Sequence, residues 1–309
     1  MKMLTQEEFQ KAETYIQESA RKLDSRMFEF YFKGGTVEAA VDELLNYQNS
    51  DGGFGRSIEP DFRLEQSSPM ATTIGLQYAG ELGLGSEHVI IQKAVAYLLE
   101  TYDHEQNRWH GVPEAVNKVP HAPWWNYDTE KGRSGAQSSW ANPNAEITGY
   151  IRKYSELVPK SFVKTLTELA LEELKSLPDK MEMHDLLCYL RLLGTFEGQE
   201  REAVLDKLKK AAQEKVAVTE DEWKGYGLKP IQVADSPEAE LAGLFQDDIQ
   251  ACLDFEISRM DPEGFWGPNW TWFGQYEEDW KTAEADWKGS LTVSTLKVLR
   301  EFGRIEGRQ

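Results

Sequence analysis

The stretch Gln48-Asn-Ser-Asp-Gly-Gly-Phe54-Gly55 decides the fold, because its pattern recurs. Ahead of it Val37, Ala40, Val41, Leu44 and Leu45 stand at helical spacing, so a one-faced helix runs into a glycine-rich turn that ends in an aromatic. A second copy runs through Ile91, Ala94, Val95, Leu98 and Leu99 to Asn107-Arg-Trp109-His-Gly111. A third turn is Glu222-Trp223-Lys-Gly-Tyr-Gly227, and a last helix with Phe245, Ile249, Cys252, Leu253 and Ile257 ends at Glu263-Gly-Phe-Trp266-Gly267. Phe54, Trp109, Trp223 and Trp266 lie 55, 114 and 43 residues apart, and the doubled middle interval places a degenerate copy near Leu166, Leu169, Ala170 and Leu174. A period of about 50 residues suits two helices and two connections.

A second set of helices interleaves with the first. Ser68-Pro69, Asn142-Pro143 and Ser236-Pro237 each put a capping side chain before a proline at the first helical position. The helices that follow are apolar around most of their circumference: Leu186 to Leu193 carries one charge, and Met70 to Leu82 carries only Glu81. A helix apolar on most sides is buried on most sides. One-faced helices alternating with deeply buried ones predict an all-α chain. The expected arrangement is an α/α toroid (barrel) of five to six helix pairs in two concentric rings, one domain over residues 1–309. A helical segment at about Thr5 to Phe32 precedes the pairs, and no strand pattern is long enough to matter.

Composition narrows the function classes. Forty per cent hydrophobic and 28 % charged residues can build a sizeable core, and a net charge of −19 argues against nucleic acid or an anionic membrane surface as partner. Cys188 and Cys252 both fall in apolar helical patterns and read as buried free thiols. No run approaches ~18 apolar residues and the first residues hold no apolar leader, so a cytoplasmic protein without a membrane span is expected. Nothing in the sequence fixes the oligomeric state.

The Gln48-to-Phe54 turn resembles the Gln-to-aromatic turn of squalene and hopene cyclases and the Gly-Gly-Phe turns of protein prenyltransferase β subunits. With Arg56-Ser-Ile-Glu-Pro-Asp61 and Pro120-His-Ala-Pro-Trp-Trp125, it resembles a bacterial prenyltransferase-like group of uncharacterised activity. The resemblance implies the toroid and a hydrophobic or isoprenoid ligand in an aromatic-lined central cavity. The chemistry-bearing motifs depart from it. Protein prenyltransferases hold zinc with an Asp, a Cys two residues on and a distant His; Asp61-Phe-Arg63 is the nearest counterpart and lacks the thiolate. His88, His104, His110, His121 and His184 show no ligand spacing. Glu59-Pro-Asp61 lacks the third carboxylate of the class II Asp-x-Asp-Asp motif. Asp247-Asp248 lacks the partner of a class I Asp-rich cluster, since position 251 is Ala. No metal and no cofactor is expected.

Three loops would meet a ligand at the mouth of a toroid. In residues 56–68, Glu59 and Asp61 are candidate general acids, and Arg56 and Arg63 a candidate anion clamp; the alternative is a solvated, internally paired loop. In residues 119–140, His121 and Asp128 are candidate acid–base groups, while Trp124, Trp125, Asn126 and Trp140 are candidate ligand contacts or core plugs. In residues 265–287, five tryptophans stand beside Asp279 and Asp286; Trp270 and Trp272 are the candidate contacts and Trp266 reads as core. Aromatic walls stack on sugar rings and stabilise carbocations. A carbohydrate-active α/α-barrel hydrolase or lyase, or a non-catalytic toroid that binds a protein, therefore stands beside the isoprenoid reading.

Overall fold

The computed structural model describes residues 1–308. Its elements are α1 (Gln6–Ser19), α2 (Lys22–Phe32), α3 (Val37–Leu44), α4 (Pro69–Glu81), α5 (Val89–Glu100), β1 (Tyr127–Asp128), β2 (Arg133–Ser134), α6 (Ala141–Lys153), α7 (Lys160–Ser176), α8 (Met183–Leu193), α9 (Gly198–Lys215), α10 (Glu220–Lys224), α11 (Pro230–Val233), α12 (Gln246–Ser258) and α13 (Glu277–Glu301). The chain is thus mostly helical, as its periodicity predicts, and the two short strands pair as an antiparallel hairpin. Among the described residues no helix is long and apolar enough to cross a membrane. Its contacts divide it into two compact units, one of Met1–Ala40 with the chain from Lys215 onward, the other of Val41–Glu214.

In the Val41–Glu214 unit the expected alternation of burial holds. Every residue of α6 from Ala141 to Gly149 is buried, whereas α7 buries only Leu166, Thr167, Ala170 and Leu174, and α9 only Val204, Leu208, Ala211 and Ala212. The stripe of Leu166, Leu169, Ala170 and Leu174 lies on α7, with Leu169 half-buried. α6 packs along α7 and α8 and against α4. Gly149 lets α6 come close: a Cβ there would stand 3.3 Å from the Leu192 Cα.

The recurring aromatic has the same physical role in three of its four copies. The Phe54 amide donates to Thr72 Oγ1 (3.0 Å), and that hydroxyl donates back to the Ser68 carbonyl (2.8 Å). The Trp109 amide donates to Asn144 Oδ1 (2.6 Å), and its indole Nε1 donates to the Leu98 carbonyl (2.7 Å). In the other unit the Trp266 amide donates to Thr292 Oγ1 (3.0 Å) and its indole to the Glu256 carbonyl (2.9 Å). Each of these three turns is pinned to the next buried helix through its backbone, and both tryptophans also tie back to the helix before them; Trp223 departs from this, its indole donating to the Ala217 carbonyl (2.7 Å). Gln48 adds a third tie, donating from Nε2 to the carbonyls of Gly52 (2.9 Å) and Ile90 (3.0 Å).

In the terminal unit α1 packs on α2 and α13, α2 also on α13, and α10 and α11 on α12. Phe9, Phe28 and Phe32 stack between α1 and α2, with Phe9–Phe28 and Phe28–Phe32 centroids 5.8 and 5.1 Å apart. The buried Arg304 donates to the Lys2 carbonyl (2.7 Å) and Gln250 Oε1 (3.0 Å) and pairs with Asp254, while Leu4 bridges Ile305.

Several local expectations change. The Thr5–Phe32 segment is two helices, broken at Ala20 and Arg21. Ser68 caps α4 through the Ala71 amide as predicted, but Asn142 has non-helical backbone angles and its side chain donates to the Ala136 carbonyl instead of capping. Ser236-Pro237 opens no α-helix; the chain there turns, and α12 starts only at Gln246. Trp223 lies in α10, started by a Thr219/Glu222 capping box, where the sequence pattern predicts a turn.

Candidate functional site

The first two predicted loops are stitched together. Arg63 N donates to the Pro120 carbonyl (2.8 Å), Ala122 N to the Asp61 carbonyl (2.8 Å), and Phe62 and His121 form an antiparallel bridge between these bonds. The pairing places Asp61 and His121 on neighbouring extended segments. Glu59, Asp61 and His121 are all buried and all engaged by further contacts. His121 Nδ1 lies 2.6 Å from the Val119 carbonyl and Nε2 2.9 Å from Asn126 Oδ1. Both ring nitrogens are therefore spent on the loop. Phe62 and Trp125 meet edge to face at 5.2 Å.

Arg56 and Ser57 hold positive φ, 53° and 60°, a costly pair for residues with a Cβ. That backbone turns Arg56 back on the preceding helix exit, where Nε donates to Asn49 Oδ1 (3.0 Å) and an Nη to the Asn46 carbonyl (2.9 Å). Arg63 is half-buried and engaged by its own contacts. Asp128 caps its hairpin, accepting from the Glu130 and Lys131 amides (3.0 and 3.1 Å) and pairing with Lys131 Nζ (2.8 Å). The Lys131 side chain above all holds the Asp128 carboxyl below the usual carboxylate range. Trp140 donates its indole to the Asn107 carbonyl (2.9 Å), and the half-buried Trp124 accepts the Ala136 amide at its carbonyl (2.8 Å). Trp125, Ser134 and Gln137 are buried, each with one polar side-chain atom that finds no partner among the described residues.

The tryptophan-rich stretch belongs to the other unit. Trp272 is 1 % exposed and packs on Trp280 at 5.6 Å, which makes it core. Trp270 is half-buried, edge to face with Tyr226 (5.7 Å) and Trp287 (5.1 Å). Exposed aromatics flank this cluster at Tyr226, Phe273 and Tyr276.

No family model, curated protein or solved structure matches this chain. Its chemistry has therefore to be read from its own side chains.

One constellation lies outside the three loops, on the deeply buried helices. Glu146 of α6 accepts from Gln77 Nε2 of α4 (2.8 Å) and the Tyr150 hydroxyl (2.9 Å) at one oxygen, and from an Arg191 Nη of α8 (3.1 Å) at the other. Cys188 Sγ stands 3.9 Å from the same carboxylate. The Glu146 side chain is 4 % exposed and that of Arg191 42 %. Burial first, and then the carboxylate charge, raise Tyr150 well above its ordinary value, so it stays a proton donor. The same two causes raise the Cys188 thiol, which keeps it from acting as a nucleophile. The sequence does carry a signal for this cluster: Arg191 is the single charge of Leu186–Leu193, and Glu146 and Tyr150 stand four apart on the helix after Asn142-Pro143.

Proposed function

We propose that the chain is an α/α toroid of the terpenoid-cyclase and prenyltransferase type that holds a small carbohydrate against the polar face of α4, α6 and α8. The observation that carries this reading is the convergence of Gln77, Glu146, Tyr150 and Arg191 from three separate buried helices. A buried carboxylate with three hydrogen-bond donors is costly to build where packing alone is at stake, since apolar replacements of similar volume are often as stable or more so. Hydroxyl-rich ligands are bound through such fixed donors and acceptors.

The toroid draws its support from the aromatic turns and from the alternation of one-faced and buried helices. The isoprenoid reading draws on the same turns, yet Phe54, Trp109 and Trp266 are buried and spent on tying helices together, and Trp272 is core. A polar wall suits a sugar better than a hydrocarbon chain. Thermal-shift measurements on the whole chain with oligosaccharides and with prenyl diphosphates separate the two. A shift with sugars alone is expected; a shift with prenyl compounds alone would overturn the carbohydrate reading in favour of the isoprenoid one.

A further inference from the structure

We infer that Arg108 and Arg133, which the β1–β2 hairpin brings together, jointly receive a phosphate group. The site uses none of the residues of the carbohydrate reading and does not depend on it.

Backbone ties set the pair in place. Arg108 bridges Asp103, and the buried Trp109 beside it faces the core, so Arg108 and His110 share the other side of their segment. His110 Nδ1 lies 3.1 Å from the carbonyl of Gly132, the residue before Arg133. On the far flank the Trp140 indole donates to the Asn107 carbonyl (2.9 Å), and an Arg108 Nη reaches the Ser139 carbonyl at 3.4 Å. Both arginines are half-buried. Burial first, and then the charge of Arg133, hold the Arg108 pKa below its ordinary value; Glu173 and Asp103 oppose this less strongly.

Neither guanidinium sits on a carboxylate. Among the described residues Arg133 makes no side-chain hydrogen bond or ion pair. Arg108 has the long Ser139 contact, and its Nε is buried without a partner. Asp103 is spent on His110 Nε2 (3.0 Å) and on the amides of Glu105 and Gln106 (2.9 Å each). Arg21, Arg191, Arg259 and Arg304, by contrast, each pair with an acid. In a chain with 53 Asp and Glu against 34 Lys and Arg, two neighbouring cations without an acid call for an anion from outside.

Charge and oxygen count choose that anion. A carboxylate fills one guanidinium fork and offsets one charge. A phosphate monoester carries about −1.5 to −2 near pH 7 and three free oxygens, so it accepts from both forks and offsets both charges.

The test is calorimetric titration of the whole chain in phosphate-free buffer at fixed ionic strength, with inorganic phosphate, glucose 6-phosphate and glucose. Glucose alone measures what a sugar ring adds. Both phosphates are expected to bind: equal affinity identifies the bare phosphate group as the ligand, and tighter glucose 6-phosphate identifies an ester. Inorganic diphosphate is the matching control for prenyl diphosphates, because only what a prenyl chain adds to it speaks for an isoprenoid. Arg133→Gln should weaken inorganic phosphate on the order of ten-fold or more, the worth of one charge-assisted bidentate contact, and Arg133→Lys should lose less. Without phosphate, Arg133→Gln should melt no lower than the parent, since it removes a side chain without partners and relieves its repulsion of Arg108. Three results overturn the proposal: no binding of either phosphate, inorganic phosphate affinity that survives Arg133→Gln, or an Arg133→Gln chain that melts well below the parent.

Discussion

Gly75 shows what a single missing Cβ does in this chain. An alanine there would put its Cβ 2.5 Å from the Phe54 ring, against which α4 lies. Alanine is the better helix former by about 1 kcal/mol, yet overpacking a ring that cannot move costs about 1–3 kcal/mol. Gly75→Ala is therefore expected to lower stability, read as a lower denaturation midpoint in urea with an unchanged slope. Glu256 makes a second case. It is 2 % exposed and holds Lys229 (2.5 Å) and Arg259 (2.5 Å), so removing its charge strands two cations, one of them nearly buried. Glu256→Gln should cost about 3 kcal/mol, the range for breaking a buried pair from one side. A loss under 1 kcal/mol would show that water reaches the site. At this scale the sequence spoke unevenly. Asp61, Asp128, His121 and Arg56 read as chemistry because their charges cluster in loops, but the structure spends Asp128, His121 and Arg56 on backbone amides, carbonyls and loop side chains and buries Asp61. Cluster density in sequence cannot distinguish a strut from a ligand group, because both need polar atoms at short spacing.

The helices were more legible than the loops, because burial imposes a period that one sequence records. The stripe of Val37 to Leu45 and the apolar run of Leu186 to Leu193 both became helices close to where they were read. Ser236-Pro237 failed as a helix start because a cap works only when an apolar face follows that has something to bury it, and Glu238, Ala239 and Glu240 offer none. What pattern alone could not reveal is how the aromatic turns are fastened, since Thr72 and Thr292 lie 18 and 26 residues from the amides they accept. Thr72→Val and Thr292→Val keep the shape and remove the hydroxyl. Each should leave a buried amide without its partner at a cost of about 1–3 kcal/mol. Amide exchange at Phe54 or Trp266 should accelerate in the matching variant, and unchanged exchange would mean that the turn is held by its ring alone.

The molecule as a whole answers to pH through groups that stay neutral when folded. Burial first, then Glu256, push the Cys252 thiol from its ordinary 9.0 up to about 12, and burial with Glu87 pushes Tyr154 from 10.0 up to about 12. The native state thus retains these protons where the unfolded chain has lost them. Their contribution is whole below pH 9 and is lost as pH rises toward 12, so stability should fall by a few kcal/mol across that window. Thermal midpoints between pH 8 and 11 would measure it, and a flat profile would contradict the burial of these groups. The thiols should also resist alkylation at pH 8 until the chain is denatured. The apolar helical patterns around them made the two buried cysteines legible; the division into two units was not, because it depends on contacts between residues far apart in the chain.

That division has a bearing on how the protein is made. Residues 41–214 form one uninterrupted length, but the other unit joins the first forty residues to the last stretch of the chain. α1 and α2 emerge early, while α13, on which both pack, follows about 245 residues later. At ~5–20 residues per second that interval is on the order of ten to fifty seconds. Through it, the apolar flank that α1 and α2 are to lay on α13 waits for a helix not yet translated. A ribosome that stops short of α13 releases a chain whose earliest helices never find their seat, and that truncated product is the natural client of a chaperone.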